Sequence, residues 1–261
     1  MEARVDGKIL LVTGGTQGVG RAVALEAARS GAEGVMLVGR NPQRGAAVVA
    51  ELEALGVGGG FVSVDLAAAD AAAIVLDAAL DRFDHIDALV NAAASTDRGS
   101  IAEADIDFFD TVFATNVRTP MFLMQGVIQH LRSREAPGAI VNVLSVNAYG
   151  GTPELGVYAS SKSALLTLTK NAAHSHRFDR ISVNGINLGW ADTPGEREMQ
   201  AVKLGKGEGW LADAEAMMPW GRLIKPDDVA RLALFLLSDA SLPMTGAIVD
   251  QIQDYVVGVR D

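Results

Sequence analysis

Residues 8–20, Lys-Ile-Leu-Leu-Val-Thr-Gly-Gly-Thr-Gln-Gly-Val-Gly, decide the fold. Lys8–Thr13 is a short apolar run rich in branched side chains, which is typical of a buried strand. The run stops at Gly14 and Gly15, and a helical pattern follows from Gly20 to Ser30. Glycines let a backbone approach a pyrophosphate closely, and the dipole and free N–H groups of a helix start favour its negative charge. A strand, a glycine-rich turn and a helix in this order predict a nucleotide-binding unit.

The rest of the chain alternates apolar runs with helical patterns. Further strands are predicted at Val35–Val38, Phe61–Val64, Ala88–Val90, Gly138–Leu144, Ile181–Leu188 and Ala247–Asp250. Further helices are predicted at Pro42–Leu55, Ala67–Phe83, Phe108–Leu131, Tyr158–Ser175 and Asp227–Ser238, with a loop at Gly56–Gly60. This alternation predicts an α/β fold: one Rossmann-type, doubly wound parallel sheet of about seven strands with helices on both faces. Without a linker or an internal repeat, residues 1–261 are predicted to form a single domain.

The segment Asp192–Pro219 interrupts the alternation. It is polar, contains three closely spaced glycines, and carries Trp210, Met217 and Met218. Long irregular insertions in compact domains are often binding loops or lids. We therefore predict a substrate loop at about residues 190–220. A disordered surface excursion is the alternative, and packing under the loop is the alternative role for the Trp and Met side chains.

Composition excludes several classes of function. The 261 residues carry a formal net charge of −10, which disfavours nucleic acid and anionic membrane as partners. The chain has no cysteine, so disulfides and thiolate metal sites are excluded. No apolar stretch reaches the roughly 18 residues of a membrane span, and the start of the chain does not resemble a secretory signal. We therefore predict a cytoplasmic protein.

Tyr158 and Lys162 stand four residues apart in Tyr-Ala-Ser-Ser-Lys, so a helix brings them to one face. A free tyrosine has a pKa of about 10, too high for easy proton exchange at neutral pH. A cation within reach would stabilise the phenolate and lower that pKa. Ser145, thirteen residues upstream, would then hold a substrate oxygen. The alternative is a surface Tyr and Lys on an ordinary helix.

Taken together, these motifs resemble the short-chain dehydrogenase/reductase family, of the classical type, over roughly residues 5–250. Ser145, Tyr158 and Lys162 match its catalytic trio, and Asn116 resembles the helix asparagine that holds a proton-relay water. The resemblance implies hydride transfer between a nicotinamide cofactor and a carbonyl or alcohol carbon. Ser145 would bind the substrate oxygen, Tyr158 would give or take the proton, and Lys162 would bind the nicotinamide ribose.

The resemblance also implies a set of cofactor contacts. The turn Thr13–Gly20 resembles the family's cofactor turn. Asp65 and Leu66 would contact the adenine ring, Asn91 would stabilise the central sheet, and Thr193 would bind the nicotinamide carboxamide. The full implied set is Gly14, Thr16, Gln17, Gly18, Val19, Gly20, Arg40, Asp65, Leu66, Asn91, Tyr158, Lys162, Gly189 and Thr193.

The choice between NAD and NADP depends on the end of the second strand. Proteins that use NAD commonly place an acid there, to bind the ribose hydroxyls. Here that place is Gly39, and Arg40 follows. A guanidinium can bind a 2′-phosphate through two hydrogen bonds, so Arg40 favours NADP(H) over NAD(H). The alternative is that Arg40 stacks on adenine or faces solvent.

The substrate is predicted to be a small carbonyl or alcohol compound. Ser145, Asn147, Tyr158 and Trp190 are its predicted contacts. Further polar groups near the pocket are Tyr149, Glu154 and Asp192. This mixture fits a small polyol, a sugar or a hydroxyketone, and also a cyclic or aromatic ketone. The rival functions are an NAD-dependent sugar or polyol dehydrogenase and a non-catalytic nucleotide sensor of the same fold.

Two further predictions concern metals and assembly. His174 and His176 are two residues apart, so on a helix they point to different faces, and we predict no metal site. The resemblance implies a homotetramer built on the helices around Phe108–Leu131 and Tyr158–Ser175. Apolar residues on more than one face of these helices are compatible with that assembly.

Overall fold

The computed structural model describes residues 3–257, and within them seven strands form one parallel sheet. The strands are β1 Ile9–Thr13, β2 Gly34–Gly39, β3 Gly58–Ser63, β4 Ala88–Asn91, β5 Gly138–Val143, β6 Ile181–Leu188 and β7 Ile248–Gln251. Their order across the sheet is β3-β2-β1-β4-β5-β6-β7. The predicted Rossmann-type sheet is thereby confirmed.

Helices connect the strands. They are α1 Gly18–Arg29, α2 Pro42–Ala54, α3 Ala71–Phe83, α4 Ile106–Phe113, α5 Thr119–Ser133, α6 Gly156–Ser175, α7 Pro194–Glu198, α8 Trp210–Ala216 and α9 Pro226–Leu237. Two five-residue π-helical turns, Ala114–Arg118 and Met199–Lys203, follow α4 and α7. Short 3₁₀ turns occupy Val146–Tyr149, Pro153–Leu155, Arg177–Asp179 and Asp239–Ser241.

The core lies on both faces of the sheet, which explains the continuous apolar runs. Along β1, Leu10 and Val12 pack into a cluster with α1, α2 and α9. Leu11, between them, packs on the other face with α3, α5 and α6. Successive side chains of a strand point to opposite faces, so a strand covered on both sides must be apolar throughout.

The chain reverses direction across the sheet between β1 and β4. From β1 the chain builds outward through β2 to β3, and then crosses back so that β4 pairs with β1 on its other side. The loops that leave the carboxyl ends of β1 and β4 diverge at this point. In open parallel sheets such a reversal leaves a crevice in which ligands bind. The turn after Thr13 opens directly onto it.

Three predicted elements differ from the structure. The predicted loop Gly56–Gly60 is wrong for its last three residues. Gly58–Gly60 belong to β3, because they pair with β2 through backbone hydrogen bonds that need no side chain. The single helix predicted at Phe108–Leu131 is α4 and α5 joined by a π-helical turn. The segment Asp192–Pro219, predicted to be irregular, contains α7, a π-helical turn and α8.

In the part of the chain that the structure describes, no helix has both the length and the apolar character to cross a bilayer. That residues 1–261 form one domain stays a prediction, since residues 1–2 and 258–261 lie outside the described part.

Candidate active site

The glycine-rich turn leaves no room for side chains at two positions. Gly14 has φ +68°, and a Cβ there would lie 2.9 Å from the backbone nitrogen of Ala93. A Cβ on Gly20 would lie 2.4 Å from the carbonyl oxygen of Gly14. The turn is therefore packed tightly against itself and against the chain that leaves β4. This close packing keeps the backbone, rather than side chains, on the surface of the crevice.

The start of α1 is suited to an anion. Its N-cap residue, Gln17, makes no capping hydrogen bond through its side chain, and the first turn contains no acidic residue. The N–H groups at a helix start carry partial positive charge and need acceptors. All the predicted turn residues, Thr16, Gln17, Gly18, Val19 and Gly20, lie in this turn or in the first turn of α1.

Arg40 follows β2 and is exposed. Its carbonyl accepts a hydrogen bond from the Ser63 hydroxyl at 3.3 Å. A second arginine, Arg44, lies in the first turn of α2 and donates to Oε1 of Gln17, in the glycine-rich turn. Sequence reasoning missed Arg44, which lies in the first turn of α2, four residues after Arg40. Two guanidinium groups therefore border the end of β2.

The end of β2 has glycine at position 39, where an NAD-binding acid usually lies, and Thr16 packs against that glycine. A Cβ on Gly39 would lie 2.7 Å from the methyl carbon of Thr16. A carboxylate at position 39, the usual place of the NAD-binding acid, would therefore force Thr16 to move.

Asp65, Leu66 and Asn91 have structural contacts. Oδ1 of Asp65 accepts from the backbone N–H of Ala67, and Asp65 is exposed. The Leu66 carbonyl accepts from the Thr119 hydroxyl at 2.7 Å, which holds the loop after β3 against the start of α5.

Asn91 belongs to a buried polar chain across the sheet. Its Nδ2 donates to Oδ1 of Asn142 on β5, and Nδ2 of Asn142 donates to the Thr169 hydroxyl on α6, both at 2.8 Å. These bonds fix the neighbouring strands and α6 in register near the crevice, which is the role that the sequence predicted for Asn91.

Asn116 lies in the π-helical turn between α4 and α5 and is fully buried. Its side chain accepts from the N–H of Ser95 at 2.8 Å and donates to the Ser95 carbonyl at 2.9 Å. It also donates to the Ser161 hydroxyl at 3.0 Å. Asn116 thereby joins the loop after β4 to the helix that carries Tyr158.

Ser145 and Tyr158 meet where β5 ends and α6 begins. The Ser145 hydroxyl accepts from the backbone N–H of Asn147 at 3.2 Å and from its Nδ2 at 3.3 Å. Tyr158 lies in the first turn of α6 and is half-buried. Burial raises the pKa of Tyr158, and its interaction with the Ser145 hydroxyl partly opposes that rise. The raised pKa differs from the lowered one that the sequence predicted, because burial of the phenol dominates.

Lys162 lies one helical turn beyond Tyr158, as predicted. Its Nζ lies 5.8 Å from the centre of the Tyr158 ring and donates to the Val143 carbonyl at 2.8 Å. Burial lowers the pKa of Lys162 to about 8. Ser145, Tyr158 and Lys162 therefore converge at the carboxyl end of β5.

We expect the Lys162 amine to be charged below about pH 8 and neutral above it. An NMR titration of the protein with isotopically labelled lysine, without dinucleotide, should show one signal with a midpoint near that value. The signal should be missing from Lys162→Met. Lys225 provides an internal comparison, because its ion pairs with Glu215 and Asp192 raise its pKa. A titration in which every lysine keeps a pKa of about 10.4 or more would contradict the expectation.

Gly189, Trp190 and Thr193 follow β6. The N–H of Gly189 donates to the Gln251 carbonyl at 3.0 Å, which ties the chain to the end of β7. The Thr193 hydroxyl caps α7 by accepting from the N–H of Glu196. A Cβ on Gly18 would lie 3.5 Å from Cβ of Thr193, so Thr193 lies beside the glycine-rich turn, and its contact with the nicotinamide carboxamide stays a prediction.

Asp192 does not offer a free group to a substrate. Its two oxygens accept from Arg197 at 2.6 and 2.8 Å, and Oδ2 also accepts from Lys225 at 2.9 Å. The hydrogen bonds from Arg197, followed by those from Lys225, lower the pKa of Asp192 to about 2. Nζ of Lys225 donates to Glu215 as well, at 2.7 Å. Asp192 therefore fastens α7, α8 and the start of α9 to one another.

Tyr149, the other aromatic candidate, is also engaged elsewhere. Its hydroxyl donates to Oδ1 of Asp250 at 3.2 Å, and its side chain is largely exposed.

Three polar residues near Tyr158 were missed by sequence reasoning. Nε1 of Trp190 donates to Oε1 of Glu196 at 2.8 Å, and Nε2 of Gln200 donates to the same oxygen at 2.6 Å. Arg98 lies with Nη2 at 3.9 Å from it. The Glu196 carboxylate raises the pKa of Tyr158 and the Arg98 guanidinium lowers it, so both are within electrostatic reach of the phenol.

One ion pair joins the two sides of the crevice at its rim. Nζ of Lys203, in the second π-helical turn, lies 2.6 Å from Oδ1 of Asp97 in the loop after β4. The Lys203 bond is the main cause that lowers the pKa of Asp97, and Arg40 contributes at longer range.

The parallel sheet, the glycine-rich turn at its point of reversal and the convergence of Ser145, Tyr158 and Lys162 define a Rossmann-type oxidoreductase. A family model described as enoyl-(acyl carrier protein) reductase matches residues 14–251. A 3beta-hydroxysteroid dehydrogenase of Mediterraneibacter gnavus is 34% identical, with 94% of each chain covered. The short-chain dehydrogenase/reductase FrzI of Cladobotryum is 31% identical, with 93% of each covered.

Among solved structures, L-sorbose reductase of Gluconobacter frateurii, complexed with NADPH and L-sorbose, is similar over 100% of both chains. The TM-score is 0.91 and the sequence identity 27%. The chain belongs to the short-chain dehydrogenase/reductase family and is an oxidoreductase, as the sequence predicted.

Proposed function

We propose that this enzyme transfers a hydride between a nicotinamide dinucleotide and a carbonyl or secondary-alcohol carbon of a small molecule, with Tyr158 as the acid–base group. The observation that carries the proposal is the convergence of Tyr158, Ser145 and Lys162 beside the glycine-rich crevice. The Lys162 amine donates to the buried Val143 carbonyl at 2.8 Å, and the Ser145 hydroxyl accepts from the N–H of Asn147 at 3.2 Å, so both side chains are held before any substrate arrives.

The residues present fit a dinucleotide. The tight approach at Gly14 and Gly20 and the uncapped start of α1 suit a pyrophosphate. Asp65 and Leu66 would border the adenine, and Thr193, Asn91 and Gly189 would border the nicotinamide side. When bound, the nicotinamide ring supplies or accepts the hydride.

Each catalytic group has one task. Ser145 donates a hydrogen bond to the substrate oxygen and orients it toward Tyr158. The raised pKa keeps Tyr158 protonated at neutral pH, so its hydroxyl is ready to donate a proton to a carbonyl oxygen. Lys162 holds a positive charge behind the phenol and stabilises the phenolate that this transfer leaves. Asn116 would hold the water through which solvent replaces the proton that Tyr158 gives up.

We favour NADP(H) over NAD(H). Arg40 is exposed at the end of β2, Arg44 lies in the first turn of α2, and Thr16 fills the space that a carboxylate side chain at position 39 would need. The similar L-sorbose reductase was solved with NADPH. Two guanidinium groups without a competing acid at this place favour a 2′-phosphate.

Arg40→Asp is expected to shift the ratio of kcat/KM for NADPH over NADH toward NADH by roughly tenfold or more, because the new carboxylate repels the 2′-phosphate. The measurement is nicotinamide absorbance with both dinucleotides and a panel of ketones, sugars and polyols. Arg29→Asp, at the exposed far end of α1, is the control and should leave the ratio unchanged. An unchanged ratio in Arg40→Asp would remove Arg40 from cofactor selection, and an NADH preference in the unaltered enzyme would support an NAD-dependent polyol dehydrogenase.

Assembly and location complete the proposal. Phe109, Met121 and Phe122 on α4 and α5 are each more than a third exposed, and such an apolar face supports a homotetramer that sedimentation would detect. We place the enzyme in the cytoplasm.

A further inference from the structure

Arg98, Glu196 and Gln200, together called the polar cluster, lie where the loop after β4 meets α7 and the π-helical turn that follows it. All the polar contacts to Glu196 from Trp190, Gln200 and Arg98 fall on one oxygen, Oε1. Within residues 3–257 no side-chain donor bonds to Oε2 of Glu196. One acceptor of a largely buried carboxylate is therefore left for another molecule.

Gln200 leaves a second acceptor without a partner. Its side chain is only 4% exposed, and its Oε1 is buried with no hydrogen-bond partner among the described residues. Its Nε2 is already committed to Glu196, so the amide cannot turn to satisfy Oε1 without breaking that bond. A buried acceptor without a donor is unfavourable and rare in folded proteins, so Gln200 is held as a donor to Glu196 at the expense of its own oxygen.

The polar cluster borders Tyr158. Arg98 lies between Ser95, which Asn116 holds, and Gly99, whose carbonyl accepts from the N–H of Val157 at 3.4 Å. Val157 immediately precedes Tyr158 in α6. The opposite effects of Glu196 and Arg98 on the Tyr158 pKa place their charges within reach of the reacting phenol. A molecule bound to Tyr158 therefore lies beside the polar cluster.

The chemistry of the cluster selects among substrates. Glu196 Oε2 is an acceptor, and Arg98 is a donor with little competition, since its nearest acidic atom is 3.9 Å away. Of two neighbouring hydroxyl groups, one would donate to Glu196 and the other would accept from the guanidinium. An apolar ring would leave both groups without a partner, which is unfavourable for charged groups that the ring removes from water. A carboxylate on the substrate would be repelled by the carboxylate of Glu196.

We propose that the polar cluster is a subsite for the hydroxyl groups of a neutral polyhydroxylated substrate, a ketose or the corresponding polyol, whose reacting carbon lies at Tyr158. This rests on the proposed hydride transfer and narrows its substrate class. Glu196 would accept from one hydroxyl, Arg98 would donate to its neighbour, and Gln200 would hold the Glu196 carboxylate in position through the bond from Nε2.

The test removes the hydrogen bond that positions Glu196 and leaves the size of the side chain at position 200 almost unchanged. In Gln200→Met the side chain keeps its length and loses its polar atoms, so KM for D-fructose and L-sorbose should rise roughly tenfold or more. The kcat/KM for cyclohexanone and 2-hexanone should be unchanged or increased. Gln129→Met, on the exposed side of α5, is the control and should change neither. Arg98→Met should act in the same direction as Gln200→Met, and provides a second test if Gln200→Met fails to fold.

Direct binding separates this subsite from hydride transfer. Calorimetric titration of each ketose, with the oxidised dinucleotide present, should show binding that Gln200→Met weakens. Binding of ketoses that weakens in the variant, with no turnover of any carbonyl compound, would support the subsite and overturn the hydride-transfer proposal. Turnover of the apolar ketones in preference to ketoses, unaffected by either variant, would overturn the subsite and leave hydride transfer standing. Absence of any ketose binding would also overturn it.

Discussion

Tyr158→Phe is expected to lower kcat by about 10²–10⁴-fold, the usual contribution of a positioned acid–base group. The substitution removes only the hydroxyl, so the ring stays packed in the first turn of α6 and beside Lys162. Dinucleotide affinity should therefore change little. The assay follows nicotinamide absorbance with a substrate of the unaltered enzyme, and dinucleotide binding is measured by fluorescence titration.

Tyr149→Phe is the matched control for that experiment. Tyr149 also loses a hydroxyl, but its partner is Asp250 rather than Ser145, and its side chain is 51% exposed. Activity of this variant should remain close to that of the unaltered enzyme. If Tyr158→Phe turns substrate over at the normal rate, the acid–base assignment is wrong.

Gly20→Ala is expected to weaken dinucleotide binding by about 100-fold, equivalent to about 2.7 kcal/mol. The new methyl group would lie 2.4 Å from the Gly14 carbonyl, so the turn must open and the backbone N–H groups at the start of α1 move from the position of the pyrophosphate. Binding is measured by calorimetry, and thermal unfolding shows how much of the loss is a loss of folded protein.

Gly209→Ala adds the same methyl group where nothing lies within 4 Å, at a φ of −72° that alanine adopts freely. It should leave both binding and unfolding unchanged. Full dinucleotide affinity in folded Gly20→Ala would show that the turn does not hold the cofactor.

The order of strands and helices could be predicted because each element is indicated by the residues within it and directly after it. Each buried strand is an apolar run, and each turn after it carries glycine or a polar residue, so the order of elements follows from the printed sequence. Strand boundaries are hardest to predict where the residues have no side chains that indicate a strand. Gly58–Gly60 joins β3 through backbone pairing alone, and a run of glycines gives no sign of a partner strand.

The segment after β6 shows a signal that was present but not used. Thr193-Pro194-Gly195-Glu196 has the Thr-x-x-Glu spacing of a capping box, with proline at the first helical position. The structure indeed begins α7 at Pro194 and caps it with the Thr193 hydroxyl. The Glu196 side chain turns to Trp190 instead of capping in return, which only the tertiary fold determines.

Some residues of the candidate active site can be predicted from the sequence and others cannot. Ser145, Tyr158 and Lys162 lie at fixed spacings on adjoining elements, so their convergence was predictable. Arg98 and Glu196 are far apart in sequence and meet only because the loop after β4 and α7 both border the crevice. Asp192 looked like a free carboxylate because neither Arg197 nor Lys225 forms a recognisable pattern with it. Neither the separation of five residues from Arg197 nor that of 33 from Lys225 matches a helical or strand repeat, so the sequence does not reveal these ion pairs.

The ion pairs that hold the segment after β6 differ in strength. Near β6, the Asp192 side chain is 5% exposed and has two cationic partners, Arg197 and Lys225, so the loss of one contact leaves the other in place. At the rim, Lys203 and Asp97 are each 51% exposed. An exposed pair of this kind is worth about 0.2–1 kcal/mol, which biases an equilibrium by a factor of only about 1.4–5. Thermal motion therefore breaks the outer pair readily while the inner one stays intact. We therefore expect added salt to loosen the outer end of this segment, at Lys203 and Asp97, before it affects the inner contacts of Asp192.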